Sequence, residues 1–600
     1  MEVDHTPWRI ILYFFDDLRL SFNRTIDHLE PWQVVMYTLS VVLFIQWIRK
    51  VAKLDDGFSM GRSYQQLMMN FPYYKEKAKQ LREASRKEIE EKLLRPDLQR
   101  EFYKFLPEKG LAVSDIITEA VEYKSMGDPL FERGRVSGAA FSDSNDEQTR
   151  LLTKVFEMFA YTNANFPDIY PACRKMEAEI IRMLCALYHG GTRSSGSLAT
   201  STSETAILAC LAYRNRAMKK GIRKPEVIIG RNGDVSFLNA AKLLGLRVVH
   251  VPMSEKHKLD LGAVKRAISR ETCMIVASAP SCVTGIMDDI EKISELALRY
   301  GIPVHVDASI GGFLLPFMEQ CDYAPPMFDF RLSGVTSISV DLHKYAYTPV
   351  GSSAILYREH YYLKEQCFSD INWPGGIYVS PTLSGSRPGS LVALTWATLL
   401  FNGKLGFVER TQKVLDATHF LKEKLHDSEF VEILGEPMLA SVVFQSKNPK
   451  VHSHLLGDLL NELGWNLAFI QSPEALRFTV TVKQASAEII DEFIDDLQKS
   501  CERLAKDPNV ESFPKKTQVF FGVSASFVDR GIAEELPSLY MDAFYATPMV
   551  PRRQNRTLSI EGRKLSHIPG SNSFNLLEQM NSNSVPAKFS KNLETQEEEE

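Results

Sequence analysis

The sequence has no CxxC pair, and its eight cysteines (Cys173, Cys185, Cys210, Cys273, Cys282, Cys321, Cys367, Cys501) lie scattered along the chain. That pattern argues against a disulfide framework and a cysteine zinc site and fits a reduced, cytosol-facing protein. No metal site is expected. There is no concentrated basic stripe apart from one short flank described below, and the net charge is only −5, so nucleic acid is not an expected partner. Internal repeats are missing too. What remains is ample material for a large core: 600 residues, 44% of them hydrophobic, enough for more than one domain.

One uncharged run stands out, Trp32–Ile48, ended by Arg49, Lys50 and Lys53. As a helix it measures about 25 Å, the short end of a bilayer span. Trp32 and Trp47 fall where interfacial aromatics belong, and the basic residues on its C-terminal side assign that side to the cytosol. The run lies far from Met1 and lacks a small-residue cleavage site, so an anchor is expected rather than a cleaved signal. The alternative is a buried or interfacial helix. On the anchor reading, residues 1–31 are lumenal, with a sequon at Asn23-Arg24-Thr25, and 32–48 span the membrane. Residues 49–146 then form a cytosolic linker that includes a charged helix over Tyr74–Leu94.

From Glu147 to about Gly406 apolar strands alternate with helices. Strands are expected at Val227–Ile229, Arg247–Val251, Cys273–Ser278, Pro303–Ala308 and Val335–Val340, with helices such as Ser203–Lys219 and Ile290–Tyr300 between them. The fold class is therefore α/β, a mostly parallel sheet covered on both faces. Residues 407–545 change to short strands and helices, a smaller α+β domain. Residues 546–600, rich in Asn, Ser, Pro and Lys and ending in Glu597–Glu600, read as a disordered tail.

The chemistry centres on Thr336–Ser353, TSISVDLHKYAYTPVGSS. A lysine on the turn after a core strand, Lys344 beside His343, suits an amine that forms a Schiff base with an aldehyde cofactor. Alone it would be a surface lysine in a turn. Asp307, at the end of an earlier core strand and followed by Gly311-Gly312, supplies the acid that a pyridine nitrogen needs. Together the two point to pyridoxal 5'-phosphate. Ser201, Thr202 and Ser203 open a helix and offer hydroxyls and amides to a phosphate, although the same residues also make an ordinary cap. Gly385–Gly389 is a tight turn carrying Arg387, either structural or part of a subunit interface.

These segments, with Gly134–Gly138, Pro167–Pro171, Lys175–Glu179 and Gly375–Tyr378, resemble the sphingosine-1-phosphate lyase family over roughly Trp32 to Tyr545. The resemblance implies a pyridoxal-phosphate-dependent transferase fold of type I, a homodimer at the endoplasmic reticulum membrane, and retro-aldol cleavage of a phosphorylated sphingoid base. The products would be a long-chain aldehyde and phosphoethanolamine. It assigns Asp234 to the place of the ring-stacking histidine and Asn163, Phe141, Tyr347 and Arg387 to the substrate side. Several polar positions depart from the family: Asp234 cannot stack, Phe166 stands where a histidine is expected, Phe141 has lost a hydroxyl, and Val350 replaces a phosphate-gripping lysine. Two other readings stay open, an amino-acid decarboxylase of the same superfamily and a degenerate paralogue with an altered substrate or a scaffolding role.

Overall fold

The computed structural model describes residues 19–20, 29–53, 72–94, 102–126, 128–142, 145–448, 451–506 and 530–548. The chain falls into two units, Met1–Pro96 with Leu106–Ala546, and Asp97–Phe105 with Thr547–Glu600. All the elements below belong to the first. Nearly all of the tail at 546–600 and of the lumenal segment at 1–31 lies outside the described residues.

Seven strands form the main sheet: β1 (Ser195–Ala199), β2 (Glu226–Gly230), β3 (Arg247–Val251), β4 (Thr272–Ser278), β5 (Val304–Asp307), β6 (Val335–Asp341) and β7 (Ser353–Tyr357). Their order is β1-β7-β6-β5-β4-β2-β3. All the pairings from β3 across to β6 are parallel, while β7 runs antiparallel to both of its neighbours. The central strands are β-branched and apolar because both faces are covered. Ile228, Ile275, Val306 and Ile338 pack into one buried cluster, and Val227, Ile229, Met274 and Val276 into another. Helices between strands end cleanly where glycine accepts a left-handed backbone, Gly245 at φ 66° and Gly301 at φ 65°.

Two short strands, β8 (Phe368–Asp370) and β9 (Tyr378–Ser380), make a hairpin. The helical stretch Gly389–His426 then leads out of the main sheet and breaks at Gly403 (φ 54°, ψ −177°), close to the change of pattern read near Gly406. Beyond it a second, antiparallel sheet has the order β10 (Val431–Ile433), β11 (Ser441–Ser446), β13 (Ala475–Thr479), β12 (Ala468–Ile470). Helices Ser453–Glu462 and Ala487–Lys506 cover it, with Phe493 packed against Phe444, Phe478 and Trp465.

Residues Pro31–Lys53 form one helix, longer at both ends than the apolar run read from the sequence, and most of its described apolar side chains, such as Trp32, Met36 and Phe44, are exposed. Its apolar part within the described residues, Pro31–Phe44, is short. Among the described residues the helix that satisfies the length and composition of a membrane span is Gly389–His426, which is half buried in the protein.

Candidate active site

Asp307 and Asp341 close two adjacent parallel strands, so both carboxylates stand at the carboxyl edge of the sheet, where open α/β folds place ligands. After Asp341 the chain turns sharply. The backbone N–H groups of Leu342 and His343 donate to the Ser352 carbonyl at 3.0 and 3.1 Å, and the His343 Nδ1 lies 2.9 Å from the same oxygen. The loop reverses through Tyr347, whose φ is 58°. Lys344 therefore leaves a rigid turn with its Nζ 3.0 Å from Asp341 Oδ2. Asp341 also accepts from Ser353 Oγ at 2.5 Å and from the Thr202 hydroxyl. Asp341 is not singled out from the sequence, although an aspartate three residues before the lysine was a signal for it.

Asp307 is fully buried. Its Oδ1 accepts from the Ser309 amide at 3.1 Å and from Ser339 Oγ at 3.3 Å. Beneath lies His305, its two ring nitrogens 2.8 Å from Ser337 Oγ and 3.1 Å from Ser339 Oγ. Burial pushes the His305 pKa down to about 3, so the ring stays neutral and only orients the serines. Burial, and next to it the Asp234 charge, push the Asp307 pKa well above the usual carboxylate range, with Lys344 opposing. A buried carboxylate in that state lacks a cation.

Two helix N-termini meet beside this pair. Ser201 caps the helix Thr202–Lys219 through the Glu204 amide at 3.4 Å, and Asp234 caps Val235–Leu244 through the Ser236 amide at 2.8 Å. Ser203 and Ser236 join them, hydroxyl to hydroxyl, at 3.2 Å. Each first turn presents N–H groups for which the helix itself offers no acceptor, a setting that favours an anion. The hydroxyls of Ser201, Thr202 and Ser203 are already engaged with protein partners, so a phosphate here would rest chiefly on amides. Pyridoxal phosphate fits the donor set: an amine on a rigid turn, a buried carboxylate short of a cation, and paired helix N-termini.

The expected substrate-side residues divide. Phe141 packs edge-on against Tyr345, ring centroids 5.0 Å apart, and Tyr345 Oη donates to the Val480 carbonyl at 2.7 Å, tying the Lys344 turn to the end of β13. Tyr347 is buried beneath the Arg410 guanidinium. Asn163 accepts from the Arg387 and Asn165 amides, both at 3.0 Å, and Arg387 itself is ion-paired with Glu177. Phe166 is half exposed and Val350 81% exposed. Two residues not singled out from the sequence also border the site. Cys282, on the loop after β4, lies in the fields of Asp234 and Asp307, and Arg477 on β13 lies in the fields of Cys282, Tyr345 and Asp234.

A family model described as the pyridoxal-dependent decarboxylase conserved domain matches residues 146–447. The sphingosine-1-phosphate lyase 1 of Rattus norvegicus is 34% identical over 551 residues, 91% of this chain and 96% of that protein. The sphingosine-1-phosphate lyase of Drosophila melanogaster is 33% identical over 532 residues, 88% and 97% of the two chains. Among solved structures, a sphingosine-1-phosphate lyase of Burkholderia pseudomallei superposes with a TM-score of 0.68 at 29% identity, covering 74% of this chain and 98% of that one.

Proposed function

The chain belongs to the sphingosine-1-phosphate lyase family of pyridoxal-dependent enzymes, and on that premise we propose that it cleaves a phosphorylated sphingoid base to a long-chain aldehyde and phosphoethanolamine. The observation that carries this reading is the meeting of Lys344, Asp341 and Asp307 at the carboxyl edge of β5 and β6. When bound, pyridoxal phosphate supplies an aldehyde for the substrate amine and a ring that draws off the electrons of the breaking C2–C3 bond. Lys344 Nζ is the amine that would hold the aldehyde. Asp341 Oδ2, 3.0 Å from Nζ, would keep that amine aimed. The Asp307 carboxylate would keep a proton on the ring nitrogen, and Ser309, Ser339 and neutral His305 hold the carboxylate in place. The amides at the starts of Thr202–Lys219 and Val235–Leu244 hold the phosphate. Burial of Asp307, Asp341 and Tyr345 excludes water from the base of the site.

Residues 32–48 serve, on the same reading, as a single-pass anchor in the endoplasmic reticulum membrane, with the N-terminus lumenal and the body cytosolic. A membrane-resident substrate would then be met in two dimensions. The active unit is a homodimer. The test is to solubilise the full chain in detergent, reduce it with borohydride, map the modified lysine, and measure aldehyde from a phosphorylated long-chain base. Label on Lys344 and aldehyde release are expected. No label on Lys344, or carbon dioxide released from an amino acid in place of aldehyde, would overturn the reading. Alkaline carbonate extraction with protease protection tests the anchor, and light scattering of the detergent complex tests the dimer.

A further inference from the structure

β13 is central in the second sheet, and its side chains alternate between faces. Leu476 and Phe478 face the covering helices, where Phe478 stacks on Phe493 with centroids 4.6 Å apart. Ala475, Arg477 and Thr479 face the other way. That face is closed by the segment leading into the main body and by the loop after β4. Ser137 Oγ accepts from the Thr479 amide at 2.6 Å, and Val283 packs on Val443 and Ala475. Arg477 sits opposite Val443 and Ala468 in register, so its immediate strand neighbours are apolar.

Its Nε is wholly enclosed without a hydrogen-bond partner, while the residue as a whole stays partly exposed. Burial lowers its pKa, yet a guanidinium stays charged. An enclosed guanidinium N–H left without an acceptor is costly, and structural arginines avoid the cost by donating to carbonyls or carboxylates. Lys344 pairs with Asp341, and Arg387 with Glu177. The groups that act on Arg477 electrostatically, Cys282, Tyr345 and Asp234, all border the site, and Tyr345 is the residue next to Lys344. Asp234 nearby is already turned to the Ser236 amide and does not reach it.

We propose that Arg477 grips the phosphate monoester of the amine substrate, so that the second sheet supplies the cation for the anionic end of the molecule while Lys344 serves the other end. This rests on the function proposed above for its choice of phosphate over another oxyanion. A planar fork of N–H groups matches two phosphate oxygens at once, which a lysine cannot do.

The test uses the full-length, cofactor-loaded protein and titrates phosphoethanolamine and ethanolamine calorimetrically into wild type, R477Q and R477K. Phosphoethanolamine should bind wild type about tenfold to a hundredfold more tightly than R477Q, the range for one charge-assisted contact, with R477K intermediate. Ethanolamine should bind all three alike. The melting temperature of R477Q should equal or exceed that of wild type, because the variant removes an enclosed N–H that has no acceptor. Equal phosphoethanolamine affinity in wild type and R477Q overturns the proposal, and so does a lowered melting temperature in R477Q with affinity unchanged, which marks Arg477 as a counter-charge to Asp234. If the wild type binds phosphoethanolamine through Arg477 but cleaves no phosphorylated long-chain base, the assignment of Arg477 stands and the proposed reaction falls.

Discussion

Replacing Asp307 with asparagine should act with opposite sign on the cofactor-free and cofactor-loaded protein. In the folded chain the carboxylate is buried beside Asp234, and its pKa is raised above the unfolded value near 3.9. The folded state therefore holds a proton more tightly than the unfolded state does. Above pH 4 the cofactor-free wild type loses stability as pH rises through the raised value, by up to about 1.4 kcal/mol per pH unit. The substituted amide does not titrate, and its oxygen can still accept from the Ser309 N–H, so cofactor-free D307N should be as stable as wild type at about pH 4 and more stable at about pH 8. With cofactor the order reverses. Wild type gains a pyridinium against a buried carboxylate, and D307N offers only a neutral amide. Loss of that charge-assisted contact costs on the order of 2–3 kcal/mol, roughly thirtyfold to a hundredfold in cofactor affinity. Urea unfolding at the two pH values, with and without pyridoxal phosphate, and equilibrium dialysis of the cofactor measure both halves. Wild-type cofactor affinity in D307N would refute the role of Asp307, and unchanged pH dependence of the cofactor-free protein would refute the electrostatic account of it.

Three further outcomes are expected. Lys344→Ala should abolish borohydride labelling and aldehyde release while leaving the fold intact, since Asp341 keeps the Ser353 and Thr202 hydroxyls; label retained elsewhere in the pocket would contradict it. His305 has a folded pKa of about 3 against about 6.5 unfolded, so below pH 6.5 the unfolded chain takes up a proton that the folded chain refuses. Wild type should lose stability between about pH 6.5 and 4 more steeply than H305Q, by about 1.4 kcal/mol per pH unit, read from urea midpoints. Gly138 has φ 72°, and a methyl there would lie 3.0 Å from Thr479 Cβ; Gly138→Ala should destabilise by about 1–3 kcal/mol, measured by thermal melting.

The central strands are readable because Val335–Val340 and Cys273–Ser278 are β-branched and apolar runs buried on both faces. β1 escapes because Ser195–Ala199 is small and polar in composition. Its Gly196 lies so close to β7 that a Cβ would sit 2.2 Å from the Ile355 carbonyl oxygen, a contact invisible in one dimension. β7 merges with the tail of the lysine turn for a similar reason, since it opens on Ser353. Lys344 and Asp307 are legible because each follows a strong strand. Arg477 is not. In Ala475–Thr479 an arginine flanked by Leu476 and Phe478 reads as the solvent face of a half-buried strand, and only Ser137 and Val283, distant in sequence, convert that face into an interior. Cys282 is one of eight scattered thiols in the sequence, and its neighbour Asp234 becomes visible only when the loop after β4 meets the start of Val235–Leu244.

The hydrogen bond from Tyr345 to the Val480 carbonyl joins the residue after Lys344 to the residue just beyond β13. It acts as a strut of fixed length between the amine and the strand that carries Arg477. The backbone from which Lys344 projects is thereby tied, through the Tyr345 side chain, to the backbone just beyond Arg477. A Tyr345→Phe change would remove that tie while leaving the ring packed on Phe141, so the lysine turn and β13 would lose this direct side-chain bond.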